Sequence, residues 1–99
     1  MLNIEKEKNG NEVHYRLEGR LDMNQAMTLE NELKEDLETA DKLIFDLKDL
    51  IYISSAGLRI MLFAHKSMMQ KGGMVLRNVT PEVQQIFDIT CFSDLLNIE

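Results

Sequence analysis

One stretch of the chain, residues 42–62, constrains the fold more than any other. It begins with two apolar runs, KLIFDLKDL and IYI, that are continuous rather than alternating, then reaches two adjacent serines and continues in a helical pattern. A continuous apolar run is typical of a strand that helices cover on both faces. The stretch therefore predicts a buried strand that leads directly into a helix, as in α/β proteins.

The neighbouring segments supply further strands and helices in a consistent order. LNIEKEKNGNEVHYRLEG alternates around Asn-Gly, which predicts a hairpin. NQAMTLENELKEDLETA has apolar residues at helical spacing, with Asp22 or Asn24 as its N-cap. The second helix, about residues 55–70, ends at KGG, MVLRNV follows as a strand, and Thr80 and Pro81 begin a third helix. With a short edge strand in FSDLLNIE, we predict the order β-β-α-β-α-β-α-β and a mixed sheet packed against helices.

Length, composition and charge limit the classes of function. The 99 residues suit a single domain, and 44% hydrophobic with 28% charged residues is typical of a globular protein. The longest apolar run, IMLFA, is too short to cross a bilayer, and MLNIEKEK lacks the apolar segment of an export signal. We therefore expect a cytoplasmic protein that does not insert into membranes. A net charge of −6 argues against nucleic-acid binding, which requires clustered cations.

Candidate metal ligands and catalytic groups are few. The single Cys91 is expected to be a small buried residue, and with only two histidines it offers no metal-ligand spacing, so we expect neither metal nor cofactor. A hydrolase nucleophile elbow has glycine two residues before the serine. In this chain the residue two positions before Ser55 is Ile53, so the motif is not matched. His65 lies ten residues beyond Ser55, about 15 Å along the same helix, and His14 is predicted on an exposed strand face. We therefore do not expect an enzyme.

The methionines are numerous for a chain of this length, with seven in all. Adaptable methionine surfaces suit partner binding, but filling gaps in a core is the commoner use. We assign Met61 to the core and leave Met68 and Met69 open between the two interpretations.

Two adjacent serines at the start of the second helix need an explanation. A strand-to-helix turn needs one N-cap, and serine is among the best residues for it, so one of Ser54 and Ser55 is surplus. Gly57 in the first turn costs about 0.5–1 kcal/mol relative to alanine, and Arg59 places a cation near the positive end of the helix dipole. Either both serines satisfy backbone amides while Gly57 permits tight packing, or the small residues leave a surface open to a partner backbone or a phosphate.

The same residues carry a family resemblance. YISSAGLRIML, preceded by LIFDLKDL, resembles the signature of the STAS domain family, in particular the stand-alone bacterial anti-sigma factor antagonists. LEGRLDMNQA is similar to the Gly-x-Leu-Asp segment before the first helix of that family, and KGGMVLRNVTPEVQQIFDITCF resembles the strand and helix that follow the central helix. The match covers nearly the whole chain, which implies a single STAS domain over residues 1–99 with the α/β fold of the family.

The resemblance also implies a regulatory switch. In the family, the serine two residues before the helix-start glycine is phosphorylated by a partner serine kinase that also acts as the anti-sigma factor, and this position corresponds to Ser55. The unmodified protein would dock on that kinase and free a sigma factor for transcription, and a phosphatase would reset Ser55. Many members have Asp at the position of Ser54 and Gly at that of Arg59. The implied partner-binding residues are Asp22, Ser54, Ser55, Ala56, Gly57, Leu58 and Arg59.

Two other functions remain open at the level of sequence. The chain could be a STAS subunit of a larger assembly, such as a signalling scaffold or a lipid-transport complex, in which the same surface binds constitutively. It could also be a small-ligand or nucleotide-binding module that uses the backbone amides around Ser55. The partners recovered from a native cell extract would distinguish these hypotheses.

Overall fold

A computed structural model describes residues 2–99 of the chain. The strands are β1 (Leu2–Asn9), β2 (Glu12–Leu21), β3 (Lys42–Ile53) and β4 (Met74–Arg77), and the helices are α1 (Met23–Thr39), α2 (Ser55–Met68), α3 (Pro81–Ile89) and a short 3₁₀ helix (Phe92–Asp94). The four strands form one sheet in the order β1-β2-β3-β4. β1 runs antiparallel to β2, whereas β2, β3 and β4 are parallel. The predicted α/β class with a mixed sheet is therefore confirmed.

Local signals in the sequence place the turns and helix starts. The β1–β2 hairpin closes between Asn9 and Glu12, and Gly10 has a φ of 64°, which suits glycine in a tight turn. Thr80 caps α3 by accepting a hydrogen bond from the Val83 amide at 3.3 Å, with Pro81 as the first helical residue. The hairpin and the third helix thus form where their short sequence patterns predict them.

The helices pack their buried side chains into one core on a single face of the sheet. Tyr15 of β2 and Phe45 of β3 stack there with ring centroids 5.1 Å apart. Buried residues of all three helices belong to the same cluster, whereas Ile44 and Val75 are buried outside it, on the opposite face by strand alternation. The expectation that helices cover both faces of β3 was therefore wrong. The apolar run of β3 is continuous because Ile44, on the opposite face, is buried like its neighbours Leu43 and Phe45.

The carboxy-terminal segment differs from the sequence prediction. Ile98 forms an isolated parallel bridge with Leu76, supported by hydrogen bonds from the Leu76 amide to Asn97 O and from the Glu99 amide to Leu76 O, both 2.9 Å. The expected edge strand is thus limited to one bridge, because Phe92–Asp94 is wound into a 3₁₀ helix instead of extending. Cys91 was expected to be buried, yet it is exposed and has a φ of 65° at the end of α3.

A buried carboxylate joins α1 to the hairpin. Asp36 is fully buried, and it accepts hydrogen bonds from the Tyr15 hydroxyl and from Lys6 Nζ at 3.2 Å. Lys8 Nζ lies 3.4 Å from the other carboxylate oxygen. Burial alone would raise the pKa of Asp36, but the hydrogen bonds from Tyr15 and Lys6 hold it below its ordinary value. Burial and the adjacent Asp36 raise the pKa of Tyr15, so its hydroxyl remains a donor.

Candidate functional site

The site lies at the sheet edge where the two central parallel strands end. Leu21 is the last residue of β2 and pairs with Ile53, the last residue of β3. The Ser54 amide donates a hydrogen bond to Leu21 O at 2.9 Å and ties the two strand ends together. Because a helix follows each strand almost at once, α1 and α2 begin side by side at this edge. The carboxyl edge of a parallel sheet is the usual place for a functional site in α/β proteins.

Each of the two helices begins with a side-chain cap. Asp22 Oδ1 accepts a hydrogen bond from the Gln25 amide at 2.9 Å, so Asp22 rather than Asn24 caps α1. Ser54 Oγ accepts from the Gly57 amide at 3.2 Å and caps α2. The two caps explain Asp22 and Ser54 structurally, as preferred N-cap residues.

Ser55 is the serine that the turn does not use. It is the first helical residue of α2 and is exposed to solvent. Within residues 2–99 its hydroxyl has no hydrogen-bond partner, whereas the Ser54 hydroxyl beside it is occupied by the cap. The two adjacent serines therefore differ in what they can do. One holds the helix start, and the other presents a free hydroxyl on the surface.

Gly57 and Leu58 support the site from within the core. A Cβ on Gly57 would lie 2.8 Å from Ile53 Cγ1 and 2.9 Å from Leu21 Cγ, closer than side chains normally approach. Leu58 is only 4% exposed. The Gly57 position faces the strand ends and Leu58 belongs to the core, so we assign both a packing role and do not include them among residues that could touch a partner. The tight helix-to-sheet packing proposed for Gly57 accounts for its presence.

An apolar groove between α1 and α2 adjoins Ser55. We call it the α1–α2 groove; it has a volume of about 390 Å³, and its lining includes Met23, Met27, Glu30, Ala56, Arg59 and Phe63. Met23, Met27 and Phe63 are 67%, 65% and 58% exposed, which is unusual for large apolar side chains that stand together. These three residues were not predicted from the sequence. The available signal was that Met23 and Met27 stand four residues apart on the solvent side of α1.

The methionines of α2 divide between core and surface. Met61 is fully buried, as predicted, and Met68 is fully buried as well. Met69, which caps the carboxyl end of α2, is 67% exposed. The groove therefore draws its methionines from α1 and not from the α2 positions that sequence analysis had left open.

Neither of the two histidines, both within the described residues 2–99, lies at the strand end that carries Ser55. His14 lies on β2 opposite Glu7 and Ile44, away from the strand end, and its Nε2 is 2.7 Å from Glu12 Oε1. His65 is ten residues further along α2. Within residues 2–99, no three His, Cys, Asp or Glu side chains are grouped so that they could hold a metal ion.

A second cavity, of about 370 Å³, opens beside β1, β2 and β3, away from this edge. Its lining is charged, but Arg16 lies 3.7 Å from Glu5 and 4.0 Å from Asp46, so the cation has partners within the chain. Ser55 does not line this cavity.

The described residues contain no helix long and apolar enough to cross a membrane.

Comparison with known proteins places this fold in a class. The model of the STAS domain family matches residues 3–99. The anti-sigma-B factor antagonist of Bacillus subtilis (strain 168) is 29% identical over 98 residues, which cover 98% of this chain and 90% of the relative. The chain therefore belongs to the STAS domain family.

Solved structures of similar fold include two forms of SpoIIAA. The anti-sigma factor antagonist SpoIIAA in its unphosphorylated form has a TM-score of 0.83 at 18% identity, covering 98% of this chain and 88% of that one. The Bacillus cell fate determinant SpoIIAA in its phosphorylated form has a TM-score of 0.77 at 17% identity, covering 98% and 91%. The relatives are named as regulators rather than as enzymes.

Proposed function

We propose that this protein is an anti-sigma factor antagonist that docks on an anti-sigma factor and is switched off by phosphorylation of Ser55. The observation that carries the proposal is the difference between the two serines. Ser54 caps α2, whereas the Ser55 hydroxyl is exposed and makes no hydrogen bond within residues 2–99. The names of the relatives support the regulatory class. Docking would displace a sigma factor and free it for transcription, a function that belongs in the cytoplasm.

The docking surface that we propose combines the helix starts with the α1–α2 groove. Ser55, Ala56 and Arg59 contribute from α2, and the exposed Met23, Met27 and Phe63 contribute apolar area. Asp22 and Ser54 are partly exposed and stand at the rim. An interface with an apolar centre and a polar rim is the usual anatomy of a protein-binding surface.

Phosphorylation would act at this interface rather than on the fold. A phosphate adds about 1.5–2 negative charges and three acceptor oxygens. At the first residue of a helix, the free backbone amides and the helix dipole both favour an anion, so the fold accommodates the group. A partner packed against the same surface would have to bury the added negative charge, which is unfavourable.

The phosphorylated residue is open to direct test. The protein is incubated with ATP and its cognate anti-sigma factor, which we propose is also a serine kinase, and phosphopeptides are located by mass spectrometry. We expect phosphate on Ser55 in the parent and in a Ser54→Asp variant, which keeps a capping side chain, and none in Ser55→Ala. Phosphate on Ser54, or on neither serine, would contradict the assignment of Ser55 as the phosphorylated residue. A phosphatase that removes the group would complete the cycle.

A constitutive role in a larger assembly is the second candidate, because the α1–α2 groove exposes apolar area without any modification. A pulldown from the native cell extract separates the two. Recovery of an anti-sigma factor kinase supports the switch, whereas scaffold proteins or a transporter ATPase would support the assembly. For either function we expect no hydrolase activity. Turnover of activated esters that is lost in Ser55→Ala would overturn that expectation.

A further inference from the structure

The cation nearest to Ser55 along α2 stands one turn after it. Ser55 is the first residue of the helix, Arg59 is the fifth, and both are exposed. Residues four apart are neighbours on the surface of a helix. Because helical side chains lean toward the amino-terminal end, the Arg59 side chain leans back over the turn that carries Ser55.

Arg59 has no ionic partner in the part of the chain that the structure describes, residues 2–99. Of the seven contacts between basic and acidic side chains found there, six lie on β1, β2 and α1 or between β2 and β3, and the seventh joins Arg77 to Glu99. Glu30 of α1 lines the same groove, yet it does not pair with Arg59. Asp22, the other acidic residue at this edge, holds the α1 cap. The guanidinium is thus free to take a new anion.

The start of α2 also lacks the negative charge that a helix start favours. Its first turn contains no acidic residue, and Arg59 follows directly after it. A cation here opposes the helix dipole. A phosphate on Ser55 would compensate the dipole and Arg59 at once, and guanidinium binds phosphate through two parallel hydrogen bonds.

We infer that Arg59 is the intramolecular partner of the phosphate on Ser55, an inference that rests on the proposed phosphorylation. In the unmodified protein Arg59 presents a positive charge beside the groove, where a partner can use it. After phosphorylation the guanidinium turns to the phosphate, and the net charge of the pair changes from about +1 to about −1. The modification therefore withdraws a cation from the docking surface as well as adding an anion.

The test is a phosphorus NMR titration of protein carrying phosphoserine at position 55, installed during synthesis of the chain. The second pKa of a phosphoserine is about 6, and a paired cation lowers it. We expect this pKa to be about 0.3 unit higher in Arg59→Gln than in the parent, roughly a twofold change in proton affinity. The matched control is Lys66→Gln, which removes an exposed cation that lies about 16 Å from Ser55 along the same helix.

The control should leave the phosphate pKa at the parent value. An unchanged pKa in Arg59→Gln would overturn the pairing, and so would an equal shift in Lys66→Gln, since that would indicate only the general field of the protein. No kinase takes part in this experiment. A failed pairing therefore leaves the proposed phosphorylation standing, and the absence of a kinase for Ser55 leaves the pairing standing.

Discussion

Ser54 and Ser55 are chemically identical neighbours, and only the backbone distinguishes them. Ser54 lies in the extended conformation of an N-cap, from which its hydroxyl reaches the Gly57 amide. Ser55 already has helical geometry, and its exposed hydroxyl has no partner within the described chain, residues 2–99. A one-residue difference in position therefore separates a serine that caps the helix from one whose hydroxyl is exposed.

Gly57 is expected to be the least replaceable residue of the helix start. Gly57→Ala should lower the free energy of unfolding by about 1–3 kcal/mol, because the new Cβ would press on Ile53 and Leu21 in a packed core. Ser55→Ala, two residues earlier on the exposed side, is the matched control and should change stability by no more than about 0.5 kcal/mol. Urea denaturation measures both. A Gly57→Ala protein as stable as the control would show that α2 does not need close contact with the strand ends.

Residue-level features were predictable from sequence where they depend on near neighbours. Caps such as Ser54 and Thr80, and the Asn-Gly hairpin turn, involve residues within three or four positions of each other. The exposure of Cys91 was not predictable, because it follows from how the chain leaves α3. The apolar groove was missed for the same reason, since Met27 and Phe63 come together only when α1 packs against α2.

At the scale of elements, the Asp36 cluster fixes α1 to the hairpin. It joins a carboxylate of α1 to Tyr15 of β2 and to two lysines of β1. The cluster was not predicted, because Asp36 lies within an acidic run typical of a solvated helix face, although its spacing from Leu29 and Leu33 puts it on the buried side. Asp36 lies on the face of α1 that also buries Leu29 and Leu33, where Tyr15 and Lys6 reach it, whereas its acidic neighbours are exposed.

The cluster predicts how stability depends on pH. The pKa of Asp36 is lower in the folded protein than in the unfolded chain. Its contribution to the free energy of unfolding is therefore fully present above the unfolded pKa of about 3.9 and is lost as the pH falls through the folded pKa. Asp36→Asn should therefore be less stable than the parent near neutral pH, and the difference should shrink in acid. Unfolding free energies measured by urea titration between about pH 2 and pH 7 test this. A difference that stays constant across that range would contradict it.

Tyr15→Phe removes one donor to the same carboxylate. A hydrogen bond to a buried charge contributes about 1.5–3 kcal/mol, so we expect a loss of that order near neutral pH with the aromatic packing against Phe45 retained. Tyr52→Phe is the control, because the hydroxyl of Tyr52 makes no hydrogen bond within residues 2–99, while its ring would still face Arg20. Equal losses in the two variants would show that the Tyr15 hydroxyl does not stabilise the fold.

At the scale of the whole molecule, the fold gathers the proposed binding surface at one edge. The ends of β2 and β3 bring the starts of α1 and α2 together, and the helices leave an apolar groove beside Ser55. The order of elements and the mixed sheet could be predicted from sequence, because they follow from patterns within single segments. The groove and the single-sided core depend on packing between segments.

The groove should contribute to docking without contributing to folding. Phe63→Ala removes an exposed ring from the groove and should weaken binding to the anti-sigma factor by about 1 kcal/mol or more, as for an aromatic contact near the centre of an interface. Met69→Ala truncates a side chain of similar exposure at the far end of α2 and serves as the control. Calorimetric titration and thermal melts should give weaker binding for the first variant only, with both melting close to the parent. Equal affinities for the two variants would exclude the groove from the interface.

Charge at Ser55 should separate folding from binding. Ser55→Asp places a carboxylate at the helix start, where the dipole favours it, so stability should change by no more than about 1 kcal/mol. Docking would have to bury this charge at a cost of about 2–5 kcal/mol, whereas Ser55→Ala keeps the surface and should bind constitutively. Thermal melts with calorimetric titration check both variants. A Ser55→Asp protein that unfolds would refute the claim that the switch acts at the interface.

The most direct measurement is a calorimetric titration of the cognate anti-sigma factor with two forms of this protein, unmodified and phosphorylated at Ser55. Both forms should have the same fold, which far-ultraviolet circular dichroism checks beforehand. We predict that the phosphorylated form binds at least tenfold more weakly, a factor that corresponds to about 1.4 kcal/mol. Equal affinity of the two forms would contradict the account, because a phosphate at Ser55 would then lie outside the docking surface.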